Sequence, residues 1–479
     1  MPAITGKNYM ERVDQLDTTV WIDGSKLKGK KSESLAFGGV MKTQAHLYDL
    51  QYDKNLVELM TYTSPTTGNQ IGTSFMQPRT KDDLLKRRKM IQEWAKASGG
   101  MMGRSPDYMN TILMALASSS PLLKGMEHVF PDNVVRFYEY AREKDLSFTH
   151  TFINPQVNRS QLYIEDPEEA ISARIVDKTK DGLLIKGARL LATQGGITDE
   201  IIVLATGGVT NNSQAFAFSI PSDTTGLKFI CRESFVHGQS SFNYPLSSRF
   251  EEMDSVVVFD HVLVPWDRVF YYENVDAART FVNDSSFQPF ALHQVVARQV
   301  VKTEFVLGVV QQLVDAIHIS EYQHVQEKVA EVIVGLETMK ALLVQSELDA
   351  EMDQWGCMRP STVPLKVAIT YFPKMYPRFG EIVQQLGASG FVSLPTENDF
   401  NSEIRTDLDR YLQSKAKNAE ERVKLFRLAW DMTMSAFGTR QTLYERFFFG
   451  DPVRLTSDLY CTYNKEKYTK HIQDFLDKS

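Results

Sequence analysis

A change of rhythm at both ends of its middle third leaves this chain few ways to fold. From about residue 160 to residue 270 the apolar residues fall in short β-rich runs at 173–176, 183–185, 201–204, 215–220, 227–230 and 256–259. Turn signals separate them, among them Lys180-Asp181-Gly182 and Thr206-Gly207-Gly208. No helical period intervenes, so the pattern predicts an antiparallel sheet or a small barrel instead of alternating β and α units. No GxGxxG follows a strand, which argues against a dinucleotide-binding fold.

Helical periodicity occupies both flanks. Amphipathic stretches run over 81–97, 106–117 and 132–144 before the β-rich region, and over 290–319, 321–352, 364–386, 402–412 and 419–437 after it. The expectation is an α+β chain of three units: a mainly helical domain at 1–150, a β-domain at 151–280, and a helical bundle with a tail at 281–479. A large-ligand site belongs in the crevice where such units meet.

Composition narrows the function classes. At 479 residues the chain exceeds what one compact core holds, and 43% hydrophobic with 24% charged residues is ordinary globular usage. A formal charge of −7 gives no basic footprint, so nucleic acid is not an expected partner. The cluster Lys86-Arg87-Arg88-Lys89 reads as the solvated face of the helix at 81–97. Cys231, Cys357 and Cys461 stand far apart with no CxxC pair, so neither a disulfide framework nor a metal site is expected. The first residues are polar, and no run approaches the ~20 apolar residues of a membrane span, which predicts a cytoplasmic protein.

Three segments carry candidate chemistry. In Gly103-Arg104-Ser105-Pro106-Asp107-Tyr108-Met109-Asn110, Ser105 suits an N-cap and Pro106 the first helical position. A cation and a phenol would then project together beside unpaired backbone amides, an arrangement able to bind an oxyanion. A salt-bridged arginine at a helix entry is the bland alternative. In the segment at 147–160, His150 lies between two threonines, where it would titrate near neutrality and polarise or deprotonate a phenol. Gln156, Asn158 and Arg159 would contact a polar heterocycle or a phosphate. In the segment at 187–196, a strand ends in Thr193, Gln194 and two glycines that would let a flat ring approach the backbone.

Taken together, GRSPDYMN, FTHTFINPQVNRS, GARLLATQGG, FDHVLVPWDRVF and FGTRQTLYERFFFGDPVR resemble, in order and over essentially the whole chain, the large oxygenase components of the 4-hydroxyphenylacetate 3-monooxygenase family. The resemblance implies an acyl-CoA dehydrogenase-like fold with a helical N-terminal domain, a middle antiparallel β-barrel and a C-terminal four-helix bundle, assembled as a homotetramer. It implies FAD used in reduced form, dioxygen as co-substrate, a phenolic substrate, and a separate NAD(P)H:flavin reductase as partner.

By the same resemblance, Arg104, Tyr108 and His150 surround the phenolic oxygen, and Ala205 and Thr206 lie near the substrate's acid tail. Gln156, Val157, Asn158, Arg159 and Thr193, with Phe437, Gly438, Thr439 and Arg440, match flavin-contacting positions. Gln384 to Phe391 look like a glycine turn that meets flavin across a subunit boundary. The implied chemistry is hydroxylation ortho to the phenol oxygen through a flavin C4a-hydroperoxide. Hydroxylation of a different phenol, a hydroxycinnamate or a chlorophenol is an alternative, as is an acyl-CoA dehydrogenase-like flavoprotein. The iron–sulfur cluster of a 4-hydroxybutyryl-CoA dehydratase is not expected, because no cysteine lies near 90–110 or 293–310 to join His293.

Overall fold

The computed structural model describes residues 3–156, 171–205 and 209–477. Helices and sheet alternate as the periodicity predicts: a helix-rich N-terminal stretch, strands through Val269–Tyr272, and long helices from Phe287–Ile317 onward.

The helix Lys81–Ala97 starts where Thr80 and Asp83 form a reciprocal capping box, each side chain accepting the other's backbone N–H. Its basic cluster is not simply a solvated face. Arg87 is 1% exposed and donates to the carbonyls of Thr73, Ser74 and Met76 and to Thr111 Oγ1, while Arg88 pairs with Glu347 at 2.9 Å. Burial draws the Arg87 guanidinium down to about 10.

The strands form two open sheets, so the expected barrel is corrected: among the described residues no ladder closes. The larger sheet runs, edge to edge, Ser25–Lys26, Thr19–Ile22, Leu227–Cys231, Asp254–Pro265, Gly182–Thr193 and Arg174–Lys178. The smaller runs Val269–Tyr272, Phe216–Pro221, Glu200–Leu204 and Phe148–Thr151. Neither is purely antiparallel. Thr19–Ile22 pairs in parallel with Leu227–Cys231, and Phe148–Thr151 in parallel with Glu200–Leu204. Closure fails because the two ladders end beside each other and are bridged only locally. Ile153 pairs with Leu190, and the hydroxyls of Thr149 and Thr151 donate to the carbonyls of Thr193 and Leu190 at 2.7 Å each. Leu191, at φ +64°, breaks the extended run at that seam.

The helices Phe287–Ile317, Gln323–Leu348, Thr362–Gly387 and Ala419–Thr433 pack against one another. Every residue from Pro289 to Thr303 is buried. The run expected as one helix over 419–437 breaks at Ser435, which caps a new helix, Ala436–Phe447, by accepting from Gly438 N at 3.1 Å. That helix carries Glu445 into the core, where it takes Arg298 at 2.7 Å and Lys302 at 2.8 Å. Burial favours the neutral carboxyl, but the two cations overcome it and hold Glu445 at about 2.

Replacing Glu445 by Gln strands two buried cations, so stability should fall by about 3–5 kcal/mol, measured by chemical denaturation. Because the carboxyl is more acidic when folded than when unfolded, its contribution is complete above pH 4.5 and should be lost as pH falls from 4.5 toward about 2. An unchanged denaturation midpoint in Glu445→Gln would contradict this assignment.

Candidate active site

The turn before the helix Pro106–Ser118 is held by an acid from the sheet. Glu252, fully buried, accepts the Gly103 N–H at 2.8 Å and the Arg104 N–H at 2.7 Å. Gln194 donates to the same carboxylate at 3.0 Å and to the Arg104 carbonyl at 3.2 Å, and Gln44 donates to Gln194 in turn. Pro106 occupies the first helical turn, as expected, while Ser105 stands at the N-cap without a side-chain capping bond.

Glu252 fixes the backbone; aromatic rings fix the side chain. The Arg104 guanidinium carbon lies 4.3 Å from the Tyr108 ring centroid, 5.0 Å from Phe448 and 5.4 Å from Tyr444, and Nη1 donates to the Tyr444 hydroxyl. His150 enters on the strand Phe148–Thr151, its ring 5.7 Å from Tyr108 and 4.3 Å from Phe152. The three side chains that the sequence singled out therefore converge.

Among the described residues, two polar atoms in this cluster are buried with no hydrogen-bond partner: Arg104 Nε and His150 Nδ1. Buried groups of this kind ordinarily find partners, so the pair marks a place where a ligand's polar atom fits. Burial, with Arg104 adding to it, pushes the His150 imidazole well below its usual range, so it stands neutral. Burial raises the Tyr108 phenol against the opposing pull of Arg104, so it stays protonated. The cluster thus presents a cation, a phenolic hydroxyl and a neutral imidazole.

A second locus lies along the same sheet edge. The Thr193 hydroxyl donates to Asp254 Oδ1 at 2.8 Å, and Arg440 grips both oxygens of Asp254 at 2.7 and 2.8 Å. Arg232 adds a contact to Asp254 at 3.1 Å. Although burial opposes it, Arg440 above all keeps Asp254 far below the usual carboxylate range. Its ionised oxygens can only accept, which leaves the Thr193 oxygen open as an acceptor toward a ligand. Ile153 and Leu191 expose apolar surface along the same stretch, and Gln156 and Thr439 are exposed. Polar groups beside bare apolar surface suit a flat heterocycle with one hydrogen-bonding edge.

Other expectations fare differently. Ala205 is buried at the end of the strand Glu200–Leu204, its N–H donating to Phe216. Phe437 is fully buried, and Gly438 packs against the Met432–Thr433 backbone, so both serve the start of their helix. Val157, Asn158, Arg159 and Thr206 lie outside the described residues. Gly195 and Gly196 do permit close approach, but to Ser255, Phe229 and Val20 of the sheet. In the turn at 384–391 the left-handed residue is Ala388, at φ +43°, instead of a glycine. His293 bonds to Glu347 at 2.9 Å inside the helical layer.

Sequence reasoning missed Glu252, Asp254, Tyr444 and Phe448. A signal existed for the last two, since Arg440, Tyr444 and Phe448 recur every fourth residue and so share one helical face.

A fold of helices and open sheets whose site gathers a cation, a phenol and an imidazole beside exposed apolar surface is that of a ligand-handling enzyme class. Profiles described as the N-terminal and C-terminal parts of 4-hydroxyphenylacetate 3-hydroxylase match residues 5–271 and 278–477. The chain belongs to this family. It is 59% identical over 477 residues to a probable 4-hydroxyphenylacetate 3-monooxygenase of Bacillus subtilis, covering 99% of each chain. A crystal structure of a 4-hydroxyphenylacetate 3-monooxygenase oxygenase component with FAD and 4-hydroxyphenylacetate superposes with a TM-score of 0.95, at 43% identity and 99% coverage of both chains. A 4-hydroxybutyryl-CoA dehydratase from N. maritimus, 19% identical, shares the fold with a TM-score of 0.89 over 99% of this chain and 95% of its own.

Two outcomes are expected from this geometry. A Cβ at Gly103 would sit 2.1 Å from the Tyr444 hydroxyl oxygen, so Gly103→Ala should lower stability by about 1–3 kcal/mol in a denaturant titration. In 15N NMR, His150 should titrate well below pH 6.5, because burial and Arg104 both disfavour its charged form; a midpoint at or above that value would sink the neutral-imidazole assignment.

Proposed function

We propose that this chain is the oxygenase component of a two-component aromatic hydroxylase, converting 4-hydroxyphenylacetate to the catechol with reduced FAD and dioxygen. The observation that carries the reading is the pair of buried, unpartnered atoms, Arg104 Nε and His150 Nδ1, beside Tyr108. They suit the one polar oxygen of a phenol ring.

The ring carbon beside that oxygen becomes nucleophilic as the phenol approaches phenolate. A free phenol, with pKa ~10, is mostly protonated at neutral pH. Arg104, half-buried, supplies positive charge, and a nearby opposite charge lowers a pKa by ~1–3. Tyr108 donates a hydrogen bond to the developing oxyanion. His150, neutral and a weak base, accepts a hydrogen bond from the phenol O–H and orients it; its lowered basicity makes it a poor store for the proton. Ala205 and Thr206 would serve the substrate's acid tail.

Gln156, Val157, Asn158, Arg159 and Thr193, with Phe437, Gly438, Thr439 and Arg440, would hold FAD. Bound in reduced form with dioxygen, FAD supplies the electrophilic oxygen atom. Asp254 fixes the Thr193 hydroxyl, and the apolar sheet keeps water from the reacting groups. A separate NAD(P)H:flavin reductase supplies the reduced cofactor. We read the chain as an acyl-CoA dehydrogenase-like fold divided at 1–150, 151–280 and 281–479, its last unit a four-helix bundle. The exposed apolar residues Val453, Ile472 and Phe475 support a homotetramer in which they are covered, and the three unpaired cysteines suit the cytoplasm.

The test couples the protein to any NADH-driven flavin reductase with FAD, oxygen and 4-hydroxyphenylacetate. A product heavier by one oxygen is expected, and Arg104→Ala and His150→Ala should each lower hydroxylation by ~10²–10³-fold while flavin oxidation continues. A panel of phenols giving no oxygenated product would sink the reading, and full hydroxylation by both variants would sink the roles.

A further inference from the structure

Arg104 is aimed without being neutralised. Among the described residues no carboxylate lies within ion-pair distance of its guanidinium; Glu252, its neighbour, spends its oxygens on the Gly103 and Arg104 backbone and on Gln194. Arg104 Nη1 donates to the carbonyl of Gly103 at 3.1 Å and, as its bond to another side chain, to the Tyr444 hydroxyl. A carboxylate there would orient the arginine equally well but cancel the positive charge that a phenolate needs. A neutral hydroxyl orients it and leaves the charge intact.

Tyr444 is built to hold still. Its ring stacks on Phe448 at 4.8 Å and 10°, and the guanidinium carbons of Arg440 and Arg298 lie 5.4 and 5.7 Å from its centroid. Its hydroxyl rests against Gly103, where any side chain would collide. The helix that carries it is fastened on both sides, by Arg440 to Asp254 and by Glu445 to Arg298 and Lys302. Burial keeps the Tyr444 phenol protonated. The ring contacts would be satisfied by a phenylalanine; the hydroxyl is what the contact to Arg104 requires.

We infer that Tyr444 is a positioning residue: its hydroxyl, in a cage completed by Tyr108 and Phe448, fixes the Arg104 guanidinium toward the phenolic oxygen as an uncompensated cation. The inference rests on the proposed phenol site and adds to it a residue from the far end of the chain.

The test uses 4-nitrophenol as a probe, whose ionisation is read by absorbance on binding to the full-length protein without turnover. In the wild type the bound probe should ionise at lower pH than the free one. Tyr444→Phe keeps the ring and removes only the oxygen; it should fold with an unchanged circular dichroism spectrum and bind the phenolate about tenfold more weakly, the size of one hydrogen bond to a charged group. Arg104→Ala should lose more, and the double variant should match Arg104→Ala, because Tyr444 acts through Arg104. Unchanged phenolate binding in Tyr444→Phe overturns the inference, as does a double variant in which the two losses multiply. A wild type that leaves the probe's ionisation unmoved overturns the phenol site itself; a response to Arg104→Ala alone overturns only the role of Tyr444.

Discussion

One buried carboxylate holds the candidate site in register. Glu252 lies just before the strand Asp254–Pro265 and binds two successive backbone amides at the mouth of the helix Pro106–Ser118. An unpaired acid at zero exposure would be costly, and these amides with Gln194 and the nearby Arg440 compensate it. Two residues on, Asp254 gathers Thr193, Arg232 and Arg440. One short stretch of chain thus fastens the Arg104 cluster with one acid and Thr193 with the next.

Much of the fold was legible because local rules decide it. The helix Lys81–Ala97 was readable to its ends, since Thr80 and Asp83 form a cap visible in the sequence. Arg87 was misread even though it falls on the apolar stripe with Leu84, Met90 and Ile91, because charge outweighed position in the reading. The closed barrel failed for a different reason. Which strands lie beside Thr19–Ile22 and Phe148–Thr151 depends on partners far along the chain, and no local period reports a parallel pairing.

The site divides the same way. Arg104, Tyr108 and His150 were candidates from local pattern, yet each alone also reads as structure; the resemblance joined them, and the fold brings all three together. Glu252 gave no signal, because an acid before a strand is ordinary until its amide partners are known. The Arg440–Tyr444–Phe448 face was legible in principle, yet its meaning depended on contacts that only the tertiary structure supplies.

Arg104 and Tyr444 stand 340 positions apart, so the pocket is a late product of synthesis. A nascent chain emerging from the ribosome can complete its sheets long before the helix that cages the arginine exists. Domains generally settle in order of emergence, and here a helix near the far end of the chain meets a cluster begun at Arg104. Partial translation products would therefore carry the scaffold without the ring and hydroxyl that cage Arg104.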